Sequence, residues 1–386
     1  MTSPKVPTIV KRLGLVSFFT DSASEMIYPL LPALLRSFGA ASVWLGAMEG
    51  LAEAISSAVK WRMGTITDRA PRKKPLVLAG YALATIARPL IAFASAGWHV
   101  LFLRTLDRTG KGIRGVPRDA LLAESVAKES YATAFAFHRA LDNAGSVLGP
   151  ILAFALLRGL ELPMRVVIML AIVPGLVSVL VLVFGVHEPK APVEKEEENS
   201  EPEANASRLP AIAKRYLFVL TLFTLGSSAD SFLVLRAVDL KMPEEWAPLL
   251  WLALSASKAL SNVPGGRLAD RLGRKPVLVV AWLFYAIAYG ILGIVTDYRV
   301  FGGLVVLYGI YYGLSEGTEK AILAEHTPRE MRGRAFAAMH ALVGLAVLPA
   351  NLFFGVLYEV NPTYAFGTSA LVAAGAAVLL GAIVRR

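Results

Sequence analysis

Ionisable side chains occur inside long apolar stretches of this sequence, where they could bind and release protons. Asp21 and Glu25 are four residues apart, as are Glu49 and Glu53, and this spacing places each pair on one face of a helix. An ionisable group inside a membrane is costly unless it is paired or hydrated, so these positions are candidates for function. We expect a coupling or substrate cavity formed by these carboxylates together with Arg88, Arg104, Asp107, Arg108, Lys111, His138, Asp142, Asp230 and Glu316.

The densest of these charges follow one another in one predicted helix. Arg104, Arg108 and Lys111 have the i, i+4, i+7 spacing of a single helix stripe, and Asp107 lies beside them and can partly neutralise them. Three cations facing lipid would be prohibitive, so the stripe must face water or meet carboxylates of the first two helices. The basic residues that follow the stripe are expected to snorkel to the membrane interface: Arg114 and Arg118.

Composition indicates a membrane protein. The chain has 386 residues, of which 55% are hydrophobic and 18% charged, and its mean hydropathy is +0.57. A soluble domain of this size needs more polar surface. The absence of cysteine excludes disulfides and thiolate sites, the five histidines lack metal-ligand spacing, and no phosphate-binding loop motif is present. We therefore expect no enzyme, no metal and no cofactor.

Twelve apolar or largely apolar segments have the length of a membrane span. The net charge of +10 collects in alternate loops, which the positive-inside rule explains better than a nucleic-acid partner. With an even number of spans, this pattern predicts an inner-membrane protein with both termini in the cytoplasm. The predicted spans are residues 10–37, 42–62, 75–97, 99–121, 131–158, 164–187, 214–237, 246–264, 276–296, 299–322, 334–358 and 363–384.

An acidic segment rich in Pro and Glu separates the sixth and seventh spans. It has no apolar period, so we expect a flexible cytoplasmic linker at residues 188–213. The linker divides the chain into two predicted six-helix bundles, residues 1–187 and 214–386.

A basic loop pattern occurs once in each of these halves. The first copy contains Gly64, Asp68, Arg69 and Arg72, and the second contains Gly266, Asp270, Arg271 and Arg274. Asp68 and Asp270 are 202 positions apart, and residues 119–124 match residues 320–325 at a spacing of 201. Two matches at nearly one offset indicate an internal duplication, which is frequent among transporters.

The second copy, Gly266 to Lys275, resembles the loop signature of the major facilitator superfamily, and the resemblance extends over essentially the whole chain. The first copy departs from the signature at Ile66 and at Pro71, where the family usually has Gly. The resemblance implies an all-α membrane fold of two six-helix bundles related by a pseudo-two-fold axis. It also implies that both loops act as a cytoplasmic gate, and that Arg104 with Gly110 matches a motif associated with proton coupling.

Gly145, Gly149 and Pro150 in the fifth span resemble the core of a motif found in family members that work as antiporters. Small residues allow close approach of helices, and the proline bends its helix. A generic helix-packing seam is an equally good interpretation of the same residues.

The sequence therefore predicts a secondary active transporter that moves a small organic solute by alternating access, as a monomer driven by the proton gradient. The helix-5 motif favours efflux by antiport, with Asp21, Glu25 and Asp142 as proton carriers. The cationic stripe equally suits a symporter that takes up an anionic metabolite or metal chelate. A membrane sensor without transport is the alternative from another class.

Overall fold

The computed structural model describes residues 7–39, 41–126, 131–188, 209–328 and 331–383, and these residues form helices and no β-strand. The linker prediction falls mainly on residues 189–208, which lie outside the described part. The α-helices are α1 Thr8–Ile27, α2 Leu31–Arg36, α3 Ala41–Arg69, α4 Lys74–Leu90, α5 Gly97–Glu124, α6 Tyr131–Phe154, α7 Met164–Leu170, α8 Ile172–Leu180, α9 Ala211–Gly226, α10 Ser231–Asp239, α11 Ala247–Leu272, α12 Arg274–Ile294, α13 Tyr298–Glu325, α14 Arg332–Val360 and α15 Pro362–Ile383.

Each predicted span coincides with one long helix or with two consecutive helices separated by a short break. The first span is interrupted at Tyr28–Leu30, where Pro29 lacks the N–H that a continuous helix requires. Within the described chain, seven spans are long and apolar enough to cross a bilayer, whereas α3 and α5 carry several charges. The predicted all-α fold of about twelve spans is confirmed.

The described residues divide into two compact units. The first contains the described parts of Met1–Leu34 and Leu51–Ser200, and the second contains those of Leu35–Gly50 and Glu201–Arg386. An apolar core in the first unit joins α1, α4 and α5, because Leu13, Tyr81 and Leu121 are fully buried together. Burial of such side chains is the main favourable contribution to packing where helices meet.

A glycine seam holds α6 against α1 in the first unit. A Cβ atom at Gly149 would lie 2.6 Å from the carbonyl oxygen of Ser22, and one at Gly145 would overlap the carbonyl oxygen of Phe18. Only glycine permits this approach of the two backbones. The seam places Asp21 of α1 opposite α6. The glycines that resemble the antiporter motif are therefore the same residues that pack α6 against α1.

The second unit has an aromatic core. Phe223 stacks on Trp282 with ring centroids 4.3 Å apart, and Tyr285 stacks on Tyr289 at 4.2 Å. Both Trp282 and Tyr285 are fully buried, so they stabilise the packing of α9, α12 and α13.

Residues Leu35–Gly50 pack on α14 within this second unit. Ser42 donates a hydrogen bond to Glu359, and Arg36 forms a 3.0 Å ion pair with Asp239. Tyr358 donates to the same Asp239 carboxylate at 2.7 Å. These polar contacts fix the start of α3 at one end of the unit.

Asp297 begins α13 as its N-cap. Its carboxylate accepts hydrogen bonds from the backbone N–H groups of Val300 and Arg299 at 3.1 and 2.7 Å. These bonds hold the pKa of Asp297 below its ordinary value, because they favour the ionised form.

The seam predicts a difference between two Gly→Ala variants. Gly149→Ala should lower the thermal midpoint of the purified protein, because its new methyl group meets the α1 backbone. Gly367→Ala in α15 adds a methyl group with no heavy atom within 4 Å. It should leave the midpoint unchanged or raise it slightly, because alanine has the higher helix propensity. Equal midpoints for both variants would contradict the seam.

Candidate functional site

A cluster of three charges lies buried between α4 and α5. Arg88 Nε is 2.8 Å from Asp107 Oδ1, and Arg104 Nη1 is 2.8 Å from Asp107 Oδ2. Each of the three side chains is at most 4% exposed. Arg88 also donates to the carbonyl oxygen of Thr20 at 2.8 Å, which connects the cluster to α1. One carboxylate therefore compensates two guanidinium groups, with a net charge of +1.

Two cavities in the first unit lie beside these helices. The smaller has a volume of about 230 Å³ and the larger about 420 Å³. Residues that line both cavities come from α1, α5 and α6, and they are Asp21, Lys111, Arg114, Arg139 and Asp142. The smaller cavity is further lined by Ser24, Glu25, Arg88, Asp107, Arg108, Asn143 and Ser146, and the larger by Lys60, Gly115, Val116, Arg118 and Asp119.

Asp21 and Asp142 form a carboxyl pair on the wall shared by both cavities. Asp21 comes from α1 and Asp142 from α6, and both side chains line the two cavities. The glycine seam produces this arrangement, because Gly145 and Gly149 bring α6 against the α1 turns that flank Asp21. Two carboxyl groups held beside each other repel when both are ionised, so such a pair is suited to binding one proton.

Arg114 differs from the sequence prediction. We expected it to snorkel to the membrane interface, but the side chain is 4% exposed and lies within the first unit. Its guanidinium carbon is 4.5 Å from the ring centroid of Tyr81, an arrangement typical of a cation–π contact. Position along the chain does not by itself predict snorkelling, because neighbouring helices decide where a long side chain can go.

Arg118 and His138 lie near the same cavities but are held by other contacts. Arg118 forms a 2.8 Å ion pair with its neighbour Asp119, and it donates to Ser17 at 3.3 Å. His138 Nε2 is 3.0 Å from the Ser17 hydroxyl, and the ring is 5% exposed. His138 lines neither of the two cavities.

The predicted cavity residues Glu49, Glu53 and Glu316 lie elsewhere. Glu49 belongs to the second unit, where its Oε1 atom is buried without a hydrogen-bond partner among the described residues. Glu53 is exposed and lines neither cavity. Glu316 is also exposed and lies 3.7 Å from Lys320 in an i, i+4 ion pair. The i, i+4 spacing of Glu49 and Glu53 places both on one face of a helix, but helix spacing does not reveal which neighbour that face meets.

The second unit has its own polar site around Asp230. Lys258 pairs with the Asp230 carboxylate, which also accepts hydrogen bonds from Tyr308 at 3.3 Å and Tyr312 at 3.1 Å. The Lys258 ammonium lies 3.9 Å from the Tyr312 ring centroid and 5.8 Å from that of Trp251. Lys258 and both tyrosines are absent from the predicted cavity residues, although a lysine in an apolar span is a signal that could have included it.

The two basic loops make equivalent contacts in the two units. Lys73 forms a 2.7 Å ion pair with Glu124, and Arg274 forms a 3.1 Å ion pair with Glu325. Both pairs connect residues that are 51 positions apart, and the partners differ by 201 positions between the halves. The two sequence matches that indicated duplication are therefore in contact within each unit.

The next residue of each loop repeats this correspondence. Lys74 Nζ donates to the carbonyl oxygen of Val183 at 2.8 Å, and Lys275 Nζ donates to that of Gly381 at 2.8 Å. Each loop is thus tied to the last helical span of its own unit.

The remaining predicted gate residues are mostly exposed. Asp270 lies 3.9 Å from Arg274 and is 73% exposed. The side chain of Asp68 lies outside the described part of the structure. No close packing requires glycine at positions 64 and 266, because a Cβ atom at Gly64 or Gly266 would have no neighbour within 4 Å. Arg69, Arg72 and Arg271 are exposed.

Comparison with known proteins gives consistent matches over the whole chain. The sequence model of the Major Facilitator Superfamily matches residues 13–256 and 232–386. An uncharacterised MFS-type transporter of Methanocaldococcus jannaschii is 30% identical over 378 residues, covering 96% of this chain and 94% of the relative. The multi-drug resistance efflux pump PmrA of Streptococcus pneumoniae serotype 4 is 28% identical over 336 residues, covering 83% and 82%.

Solved structures share the fold at lower identity. A bacterial homologue of the human lysosomal transporter Spinster, in an inward-facing and occupied conformation, has a TM-score of 0.76 at 13% identity, covering 100% of this chain and 96% of that one. The nucleoside transporter NupG has a TM-score of 0.73 at 16% identity, covering 98% of each chain.

The buried cluster predicts a large effect of Asp107→Asn. The variant removes the buried carboxylate that Arg88 and Arg104 share, so its free energy of unfolding should fall by about 3–5 kcal/mol. Adding Arg88→Met should cost less than the sum of the two single changes, because the residues share one ion pair. Unfolding in a single detergent measures both effects.

The exposed pair supplies the control for that experiment. Glu316→Gln removes an ion pair whose side chains are 56% and 51% exposed, so it should change stability by less than about 1 kcal/mol. A result in which Asp107→Asn is no more destabilising than Glu316→Gln would contradict the role of the buried cluster.

Proposed function

This chain belongs to the major facilitator superfamily of secondary transporters, and we propose that it exports a small organic solute in exchange for protons. It is a multi-pass membrane protein and not an enzyme. We further propose that it works by alternating access as a monomer in the inner membrane, with both termini in the cytoplasm. The cytoplasmic orientation is supported by the concentration of Arg and Lys in the two basic loops.

The Asp21–Asp142 carboxyl pair is the observation that carries proton coupling. The pair lies on the wall of both cavities, so water reaching either cavity can exchange a proton with it. One proton bound between two adjacent carboxyl groups belongs to the pair rather than to either residue. Asp107 is less suited to this role, because two guanidinium groups stabilise its ionised form directly.

A charge change at the pair alters forces across the cavities. Lys111 and Arg114 line the same cavities and are attracted to the Asp21 carboxylate. Protonation removes one negative charge, which weakens this attraction. We propose that loss and recovery of this attraction shift the equilibrium between the two access states. A bound proton can shift this equilibrium only if its binding free energy differs between the two states.

Export rather than uptake is supported by two observations. The α6 seam has the small-residue pattern of antiporters, and the relative PmrA is a multi-drug resistance efflux pump. Cotransport of an organic anion with protons is the second candidate. It is favoured by the excess of basic groups around the cavities, since a proton on the carboxyl pair leaves those groups available to an anion.

Asp21→Asn and Asp142→Asn should each reduce gradient-driven transport at least tenfold, because each replaces half of the carboxyl pair with an amide. The measurement uses proteoliposomes with an imposed pH gradient, with ethidium as a first probe and an internal pH dye. Exchange of external probe for internal probe without a pH gradient should persist, because it does not need net proton movement. The direction of proton movement upon probe addition separates exchange from cotransport.

The control is Glu244→Gln, an isosteric change at an exposed position in the second unit. It should retain full coupling. Undiminished proton coupling in the Asp21→Asn, Asp142→Asn double variant would disprove the assignment, and a protein that moves no probe under any gradient would favour a sensor.

A further inference from the structure

The larger cavity of the first unit has an excess of positive charge. Its described ionisable residues are the basic Lys60, Lys111, Arg114, Arg118 and Arg139 and the acidic Asp21, Asp119 and Asp142. The acidic groups are already engaged. Asp119 pairs with Arg118, and Asp142 contacts both Asp21 and Arg139. The surplus is therefore carried by the remaining basic side chains.

Arg114 is the buried member of this surplus. Its Nη1 atom is inaccessible to solvent and has no hydrogen-bond partner among the described residues. The guanidinium contacts the Tyr81 ring, which favours a cation but accepts no conventional hydrogen bond. A buried charged donor without an acceptor is costly, so a structure that retains one on a cavity wall is prepared for an acceptor from elsewhere.

Two glycines hold the backbone of Arg114 at this position. A Cβ atom at Gly80 of α4 would lie 2.6 Å from the carbonyl oxygen of Gly110 and 2.7 Å from the Cβ of Arg114. A Cβ atom at Gly110 would lie 2.6 Å from the carbonyl oxygen of Gly80. This mutual approach places Arg114 beside α4, where its guanidinium lies against Tyr81 and its side chain lines the cavity. Its direction is set by backbone packing.

Two lysines complete the basic wall. Lys111 is three residues before Arg114 on α5, and Lys60 lies near the end of α3. Neither forms a salt bridge with another described residue, and both line the cavity together with Arg114. Ammonium groups supply mobile point charges, whereas a guanidinium supplies a planar fork that matches a carboxylate or phosphate.

We propose that Arg114, Lys111 and Lys60 bind the carboxylate or phosphate group of an organic anion that this protein transports. The proposal rests on the transport function but not on its direction. The cavity volume of about 420 Å³ admits a small metabolite-sized anion.

The test measures binding at equilibrium, without a gradient, so that its failure is distinguishable from failure of proton-coupled transport. Full-length protein in phosphatidylcholine nanodiscs is titrated with citrate and with inorganic phosphate, and the thermal midpoint and the heat of binding are recorded. At least one anion should raise the midpoint saturably. Arg114→Gln should weaken its binding at least tenfold, and Arg114→Lys should weaken it less because the charge is retained.

Two further variants guard against a folding artefact. Lys111→Gln should also weaken anion binding, although it alters no buried contact among the described residues. Arg299→Gln, at an exposed position in the first turn of α13, should leave binding unchanged. Equal affinity for the anion in the unaltered protein and in both Arg114→Gln and Lys111→Gln would overturn the proposal.

The source and class of the ligand are tested in the same format. An anionic lipid headgroup offers the same phosphate chemistry as a free anion. Loss of citrate and phosphate binding when phosphatidylglycerol is added to the nanodisc would assign the site to lipid and overturn the transported anion. Stabilisation by ethidium alone would overturn the anionic class while leaving proton-coupled export intact.

Discussion

The interior of the first unit depends on how charge is compensated inside apolar helices. Asp107 lies between Arg88 and Arg104, and all three side chains are nearly inaccessible to solvent. Removing ions from water is costly, and their attraction repays the cost only when geometry and hydrogen bonding are good. The cluster meets this condition through its 2.8 Å contacts and through the bond from Arg88 to the Thr20 backbone. It therefore fixes α1, α4 and α5 relative to one another.

Close helix approach extends that constraint to the groups that carry the proposed chemistry. Glycine at 145 and 149 brings α6 to α1 and so places Asp142 beside Asp21. A second glycine contact brings α4 to α5 and directs Arg114 along Tyr81. In both cases glycine allows two helices to pack closely, and this packing positions a charged side chain. The packing seams and the functional charges are parts of one arrangement.

The two halves share a frame and differ inside it. The ion pairs of Lys73 with Glu124 and of Arg274 with Glu325 connect equivalent helices, as expected of a duplicated unit. The interiors have diverged, because the first unit contains paired charges around two cavities, whereas the second places stacked aromatic rings around Asp230 and Lys258. The equivalent ion pairs preserve the same helix packing in both units, whereas the different interiors permit separate roles.

The sequence by itself determined the number of spans, the duplication and the local pairing of Arg104 with Asp107. Each depends on features that are local or repeated: apolar run length, a constant offset, and the i, i+3 geometry of one helix. Tertiary structure alone decided that Arg88 would share Asp107, that Asp21 would lie beside Asp142, and that Arg114 would be buried. Helix periodicity defines the faces of a helix, but only the packing of glycine seams decides which faces meet.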